Sequence, residues 1–367
     1  MVFQFLVSRA SCPQEGSVHA AEMAATRKNW RTQRPRAPSG RIPFKSPLIL
    51  ADKMWSANRE IVVFLRTNSD RTHARIVWYR AFIDTSYQDS DAMSTVQTLE
   101  VPGYQVVEFL GSGARSTIWR VRDRSGSQEF ALKRVVKRHV SDYRFLEQAI
   151  NEYEVGSKLD HPVIRRIYRI RRLKRWLRLR EVHLLMEFCE GKTVQSARPQ
   201  SLPEVIRIFT QVGEAMAYMN SRGYVHADMK PNNIIVAPDG MVKIIDLGQS
   251  CPIGTVKQRI QGTPDYIAPE QVHRRPLDAR TDVFNFAASL YWTLTGKAIP
   301  TLLPKKGGYQ LMTDSSIVPP DALNPEVPAS VGKLVTDCLK INPAHRPVAV
   351  TDVVARMNLI SHALKIA

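Results

Sequence analysis

Two short polar loops, separated by a tight hairpin, constrain this chain more than any other feature of its sequence. The first loop, residues 224–233, reads Tyr-Val-His-Ala-Asp-Met-Lys-Pro-Asn-Asn. Two short apolar runs follow, residues 234–236 and 242–245, and a Pro-Asp-Gly segment typical of a turn joins them. The second polar loop, Asp-Leu-Gly at residues 246–248, comes directly after the second run. The fold must therefore hold two sets of charged side chains on either side of one hairpin.

The residue types in these loops suit phosphoryl transfer. Asp228 can accept a hydroxyl proton, and Lys230 can neutralise a transferring phosphate. Asn233 and Asp246 offer the oxygen ligands that hard cations such as Mg²⁺ require. The pattern therefore predicts a metal-assisted site for phosphate chemistry, with Asp228 and Lys230 as catalytic residues and Asn233 and Asp246 as metal ligands.

The chain upstream of the loops predicts a small β-rich lobe over residues 104–188. Short apolar runs alternate with turn residues, and helical spacing of apolar residues appears once, at Tyr143, Leu146, Ile150 and Tyr153. We expect one helix there and five antiparallel strands, at residues 104–110, 116–122, 129–136, 165–172 and 181–187.

The chain from residue 191 to 367 predicts a larger, mostly helical lobe. Ser201 and Glu204 form a capping box at the start of a long apolar stripe that ends before Gly223. Further helical patterns occur at residues 284–294 and 331–339. The predicted fold class is α+β with two lobes.

A glycine-rich turn and an internal lysine add to the predicted site. Gly111 and Gly113 lie between two predicted strands, where the missing side chains let backbone amides approach a phosphate chain. Lys133 lies on the next strand, and an inward-pointing lysine there needs a carboxylate, for which Glu152 on the helix is the candidate.

Taken in order, these motifs resemble the eukaryotic-type serine/threonine protein kinases over about residues 104–367, and among them the compact bacterial members. The resemblance implies a two-lobed kinase fold that uses ATP and Mg²⁺, with Mn²⁺ as a substitute, to phosphorylate serine or threonine in protein substrates. It makes Asp228 the catalytic base and pairs Lys133 with Glu152. It also pairs Glu270 with Arg346 and makes Asp282 a brace for the catalytic loop. The residues it places around the nucleotide are Gly111, Gly113, Ile118, Ala131, Lys133, Glu152, Glu187 and Cys189, with Met186 as gatekeeper.

The serine/threonine preference rests on Lys230 and on Gly262-Thr263 before the Ala-Pro-Glu motif, because the tyrosine kinases of the family usually differ at both places. The sequence also departs from the family pattern. Ser116 replaces the third glycine of the loop, and Leu247 replaces phenylalanine in the metal-binding triplet. Ala227 replaces the arginine that usually precedes the catalytic aspartate, so activation by phosphorylation of the activation segment is not expected.

The first 92 residues differ from the rest of the chain. Residues 27–45 are rich in arginine and proline and contain no acid, and only the run at residues 76–83 is apolar enough for one secondary-structure element. We expect a basic, disordered tail or an upstream artefact of translation, with Met93 as an alternative start. An organellar transit peptide is less favoured, because Glu15 and Glu22 are acidic.

The formal net charge of +18 raises nucleic acid as a partner. Nine arginines and lysines crowd residues 165–180 without an acid among them. A solvated hairpin face explains them better, since phosphate contacts alone carry no sequence specificity. Nucleic acid is therefore not the expected partner.

Two rivals to the kinase hypothesis are open but disfavoured. A pseudokinase scaffold is disfavoured because all the catalytic residue types are present, and a small-molecule phosphotransferase is disfavoured because such enzymes lack the segment at residues 262–270. The four cysteines form no CxxC pair, and no apolar run approaches the length of a membrane span. We expect a protein of the reducing cytoplasm, and the oligomeric state is open.

Overall fold

The computed structural model describes residues 50–57, 60–67, 75–82, 101–113, 115–300 and 313–365. The chain divides into two compact units, Met1–Gln97 and Thr98–Ala367.

The first unit contains an antiparallel sheet of three strands in the order β1-β2-β3. These strands are β1 (Leu50–Ala57), β2 (Glu60–Thr67) and β3 (Arg75–Phe82). β3 coincides with the single element that the sequence predicts in this region, and it pairs with β2 along its whole length. The expected start at Met93 lies outside the described residues, and the assignment of residues 1–92 as a tail stays a prediction.

The second unit begins with the predicted five-stranded antiparallel sheet, and its strands lie in the order β4-β5-β6-β8-β7. Helix α1 packs on this sheet, because its buried Leu146 and Ala149 join Val182 and Leu184 of β8 in one apolar cluster. The elements are β4 (Tyr104–Ser112), β5 (Ser116–Asp123), β6 (Glu129–Val136), α1 (Tyr143–Gly156), β7 (Ile167–Arg175) and β8 (Arg178–Glu187).

The hairpin between β7 and β8 is longer than predicted. The first strand is predicted to end at residue 172 and the second to begin at residue 181, but the strands extend to Arg175 and from Arg178. Only Trp176 and Leu177 connect them, and Trp176 has a left-handed backbone with φ of 56°. Two-residue hairpin turns require such a conformation, and glycine or asparagine usually adopts it. The turn residues here are a tryptophan and a leucine, so the sequence carries no turn signal.

The helical lobe follows. Helix α2 begins after Ser201 as predicted, and the Ser201 hydroxyl accepts a hydrogen bond from the Glu204 amide, which is one of the two bonds of the predicted capping box. The chain turns at Gly223 with φ of 82°. The large core of this lobe includes Phe209, Phe284 and Phe286. The helices are α2 (Leu202–Ser221), α3 (Pro269–Val272), α4 (Ala279–Thr295), α5 (Pro320–Leu323), α6 (Ala329–Cys338) and α7 (Val350–Ala363).

Short strands position the two polar loops. Strand β10 (Tyr224–Val225) pairs with β13 (Cys251–Pro252), and β11 (Ile234–Val236) pairs with β9 (Lys192–Thr193) and with β12 (Val242–Ile244). The amide of Ile245 donates to the carbonyl of Asn233 at 2.8 Å. The hairpin β11–β12 therefore brings the end of the first loop beside the start of the second.

In the part of the chain that the structure describes, no helix is long and apolar enough to cross a membrane.

Candidate active site

Asp228 and two neighbouring side chains form a closed ring of hydrogen bonds. The Thr263 amide and hydroxyl both donate to Oδ1 of Asp228 at 2.9 Å. The Lys230 ammonium donates to Oδ2 of Asp228 at 3.0 Å and to the Thr263 hydroxyl at 2.8 Å. The ring fixes the carboxylate and joins the catalytic loop to the segment at residues 262–270.

Gly262 makes the approach of Thr263 possible. Its φ is 132°, a conformation that residues with a side chain rarely adopt, and a Cβ there would lie 3.0 Å from the Ile267 side chain. A side chain at this position would therefore shift Thr263 away from Asp228.

Asp282 of α4 holds the backbone of the catalytic loop, as predicted. Its carboxylate is completely buried and accepts hydrogen bonds from the amides of His226 and Ala227, each at 3.0 Å. Asn220 at the end of α2 donates to the same carboxylate at 2.8 Å. The loop is thus fixed by a buried charge with several hydrogen-bond donors.

Lys133 and Glu152 form the predicted ion pair, with the lysine Nζ 2.6 Å from Oε2 of Glu152. The Lys133 Nζ also lies 3.5 Å from Oδ1 of Asp246. Burial lowers the pKa of Lys133, but the charges of Asp246 and Glu152 outweigh it, so its pKa is raised overall. The lysine is therefore cationic and links α1 to the second polar loop.

Arg165 is a member of this cluster that the sequence analysis assigned to the solvated hairpin, and that assignment is wrong. It is 7% exposed, and its guanidinium lies 3.3 Å from Oε1 of Glu152. The two cations therefore contact different oxygens of one buried carboxylate. Together with Asp246 they form a cluster of two positive and two negative side chains.

A second residue that the sequence analysis missed, Asn151, connects α1 to the loop after Asp246. Its side-chain amide donates to the carbonyls of Gly248 at 3.2 Å and Ser250 at 2.8 Å. An asparagine on a helix has no distinguishing sequence signal, so only the structure reveals this contact.

The ionisation of the two aspartates differs. Burial raises the pKa of Asp228, against the opposing charge of Lys230. The charge of Lys133 lowers the pKa of Asp246 well below its usual range, although burial opposes it. Asp246 is thus fully ionised, whereas Asp228 has a raised affinity for a proton.

Asn233 and Asp246 suit a hard cation such as Mg²⁺. The amide nitrogen of Asn233 is used internally, because it donates to the Asp228 carbonyl at 2.9 Å, which leaves its oxygen as the free ligand atom. Asp246 supplies an ionised carboxylate that is 41% exposed at its side chain. A carboxylate and an amide oxygen are ligands that Mg²⁺ accepts, so the residues present fit the metal.

The predicted nucleotide-binding residues lie on neighbouring strands. Gly111 pairs with Ile118, and Ile118 pairs with Lys133, so these three residues follow one line across β4, β5 and β6. Ala131 pairs with Met186 of β8, and both are buried. This part of the sheet offers an apolar surface that ends at Lys133.

The remaining predicted residues flank this surface. The amide of Gly113 donates to the carbonyl of Ser116 at 2.8 Å, which closes the glycine-rich turn. Glu187 is the last residue of β8 and Cys189 follows it, and the Glu187 carboxylate is bound by the Lys243 ammonium at 2.6 Å. The carboxylate of Glu187 is therefore occupied by Lys243.

A buried ion pair fixes the segment that ends at Glu270. The predicted pair of Glu270 and Arg346 is confirmed as a buried, two-point contact with distances of 2.8 and 3.0 Å. Ala227 is buried with Val225, Cys251 and Leu277 in a small apolar cluster. The place beside the catalytic loop is thus filled by apolar side chains, and none of these four carries a charge.

Comparison with known sequences identifies the family. The model of the protein kinase domain matches residues 104–357. The chain is 25% identical over 252 residues to a probable serine/threonine-protein kinase of Clostridium acetobutylicum, covering 66% of this chain and 37% of that protein. It is 28% identical over 254 residues to the serine/threonine-protein kinase PknA of Mycobacterium tuberculosis, covering 66% and 58% respectively. A sperm motility kinase of Mus musculus, the Tcr mutant form, is 31% identical over 252 residues, covering 65% and 49%.

The chain thus spans about a third to three fifths of the length of these relatives. The family model covers well over half of the chain, and the two-lobed fold, the paired Lys133 and Glu152 and the ring around Asp228 agree with it. The chain belongs to the protein kinase family.

Proposed function

We propose that this chain is a serine/threonine protein kinase, which transfers the γ-phosphoryl group of ATP to hydroxyl groups of protein substrates. The observation that carries the proposal is the ring of Asp228, Lys230 and Thr263, because it fixes a carboxylate with a raised proton affinity beside a cation. The names of the relatives from Clostridium and Mycobacterium support the choice of serine and threonine.

Each residue of the site has a role in this proposal. Asp228 orients the substrate hydroxyl and accepts its proton, and Lys230 stabilises the charge on the transferring group. Lys133 contacts the phosphates while Glu152 holds it in place. Asn233 and Asp246 would hold Mg²⁺, which when bound neutralises phosphate charge. Catalysis then rests on positioning and electrostatics rather than on a covalent intermediate with the protein.

The adenine ring would lie on the apolar surface formed by Ile118 and Ala131, with the main chain of Glu187 and Cys189 at its edge. The glycine-rich turn would cover the phosphates. A cytoplasmic location is part of the same proposal, because ATP is the phosphate donor.

The test is transfer of labelled phosphate from ATP to a generic basic protein by the full chain, with and without Mg²⁺. The variants Lys133→Met and Asp228→Asn should lose at least a hundredfold in rate, about 2.7 kcal/mol in the barrier. Matched controls are Lys333→Met, whose side chain is 73% exposed, and Asp239→Asn in an exposed turn.

The controls should retain wild-type activity. If Asp228→Asn and the wild type transfer phosphate equally, or if neither does while both bind ATP, a scaffold function replaces the enzyme proposal.

A further inference from the structure

The tip of the β7–β8 hairpin exposes two large apolar side chains. Trp176 is 91% and Leu177 is 94% exposed, which makes them the two most exposed large hydrophobic residues among those the structure describes. Contact of apolar side chains with water is unfavourable, and soluble proteins usually bury them. Two neighbouring exposed apolar side chains at a turn therefore indicate a contact with another apolar surface.

The backbone at the tip adds an independent observation. Trp176 has φ of 56°, a left-handed conformation that is strained for a bulky residue and unstrained for glycine. Glycine at this position would form the same turn with less strain. The turn thus carries a tryptophan where folding alone favours glycine, and stability of the hairpin does not explain that residue.

Basic side chains surround the tip on both faces of the hairpin. Cross-strand partners share a face and neighbours along a strand alternate. Arg175 pairs with Arg178, and Lys174 pairs with Leu179, so Lys174 lies on the face opposite to the two arginines. Arg180 is exposed as well, and in the described parts of the chain none of these four cations forms an ion pair.

We propose that this tip, defined as residues 174–180, docks the protein on an anionic lipid surface by inserting Trp176 and Leu177 among the headgroups. Tryptophan favours the membrane interface, leucine favours the acyl region, and flanking arginine and lysine are attracted to acidic lipids. Basic residues on both faces fit a hairpin that stands upright on the membrane surface with its tip inserted, because both faces then lie close to the headgroups.

The same cations could attract nucleic acid, but the tip fits it less well. Proteins that bind single strands stack bases on aromatic side chains. The tip offers one aromatic ring, and the equally exposed Leu177 has no face for stacking. The lipid surface uses both apolar residues, and so it accounts for more of the observed structure.

The experiment is flotation of the full chain with vesicles of phosphatidylcholine alone or mixed with phosphatidylserine. We expect binding to the mixed vesicles only, and weaker binding as salt rises. The double variant Trp176→Gly/Leu177→Ser should bind at least about tenfold more weakly, because the inserted apolar surface is gone. Its melting temperature should be equal to or higher than that of the wild type, since glycine adopts the left-handed turn without strain.

A charge variant tests the second part of the proposal. Arg175→Glu/Arg178→Glu should lower vesicle binding by about 25-fold or more, because each basic residue near an anionic surface contributes about fivefold. Matched controls on the helical lobe are Arg222→Glu/Lys333→Glu for charge and Leu359→Ser, which removes a leucine that is 72% exposed. Both controls should bind the mixed vesicles like the wild type.

Three results would overturn the proposal. The first is equal binding of wild type and tip variants to the mixed vesicles, and the second is equal loss in the helical-lobe controls. The third is the absence of vesicle binding together with tip-dependent binding of single-stranded RNA, which would assign the hairpin to nucleic acid instead. None of these results depends on kinase activity, so the test is independent of the proposed function.

Discussion

Arg165→Met replaces a buried guanidinium with an uncharged side chain of similar length, and it tests whether the second cation on Glu152 stabilises the site. In the wild type, the carboxylate of Glu152 is completely buried and contacts Lys133 at 2.6 Å and Arg165 at 3.3 Å. After the substitution, one carboxylate oxygen loses its charged partner. The local cluster, with Asp246, then carries one more negative than positive charge.

The expected loss follows from these contacts. Removing one partner of a buried ion pair costs about 3–5 kcal/mol when the other charge is left unpaired. Glu152 keeps Lys133 as a partner, so the loss of unfolding free energy is closer to that of one hydrogen bond to a charged group, about 1.5–3 kcal/mol. For a unit of this size, that corresponds to a fall in melting temperature of roughly 2–4 °C per kcal/mol.

The assay is urea unfolding of the full chain, together with the KM for ATP. Arg166→Met is the matched control, because Arg166 is the neighbouring residue and pairs with Asp160 on the surface, where the two side chains are 61% and 81% exposed. An exposed pair contributes about 0–1 kcal/mol, so the control should change little. Arg165→Met should also raise the KM for ATP, because Glu152 no longer holds Lys133 as firmly.

A double variant separates charge balance from simple loss of contact. Glu152→Gln added to Arg165→Met removes the uncompensated charge, so the combined loss should be smaller than the sum of the two single losses. Arg165 has no stabilising role at Glu152 if Arg165→Met is as stable as Arg166→Met with an unchanged KM, or if the losses of Arg165→Met and Glu152→Gln are strictly additive.

Three further outcomes are expected. Phosphatase-treated enzyme should keep most of its activity in a transfer assay, because apolar Ala227 takes the place of the cation that a phosphate on the activation segment would neutralise; a hundredfold loss would contradict this. Lys230→Met should move the acid limb of the kcat/KM profile to higher pH, since Lys230 lowers the pKa of Asp228 and only the ionised carboxylate accepts a proton; an unmoved limb would exclude that role. Arg346→Met should cost about 3–5 kcal/mol in urea unfolding, because Glu270 is left buried and unpaired; a smaller loss in Arg346→Met/Glu270→Gln would confirm the cause.

Much of the site could be predicted because its residues occur in short motifs of fixed spacing. Asp228, Lys230 and Asn233 lie within six residues of one another, so one loop must hold them together. Lys133 and Glu152 could be paired because a lysine on an inner strand face needs a carboxylate, and the resemblance to protein kinases selects Glu152 from the three glutamates of the helix. The succession of strands and helices along the chain could be predicted because the spacing of apolar residues changes between the two lobes.

Arg165 could not be assigned in the same way. In the sequence it is one of nine basic residues between positions 165 and 180, and nothing distinguishes it from its exposed neighbours. Its burial depends on a long-range contact, because Ile164 forms a parallel bridge with Ile244 and the Arg165 amide donates to the Ile244 carbonyl at 3.0 Å. Sequence patterns are local, and this contact joins residues about 80 positions apart.

Adjacent residues of α1, Asn151 and Glu152, make an outward movement of this helix cooperative. Glu152 contacts Lys133 in the sheet, while Asn151 donates to the carbonyls of Gly248 and Ser250 in the other lobe. Both sets of contacts share one rigid turn of helix, so they break together rather than one after the other. A displaced helix would break the pair of Glu152 with Lys133 and remove the support of Asn151 for the loop after Asp246 in the same event. Intermediate positions would gain no stability from keeping half of the contacts, so we expect an outward movement of the helix to be all-or-none.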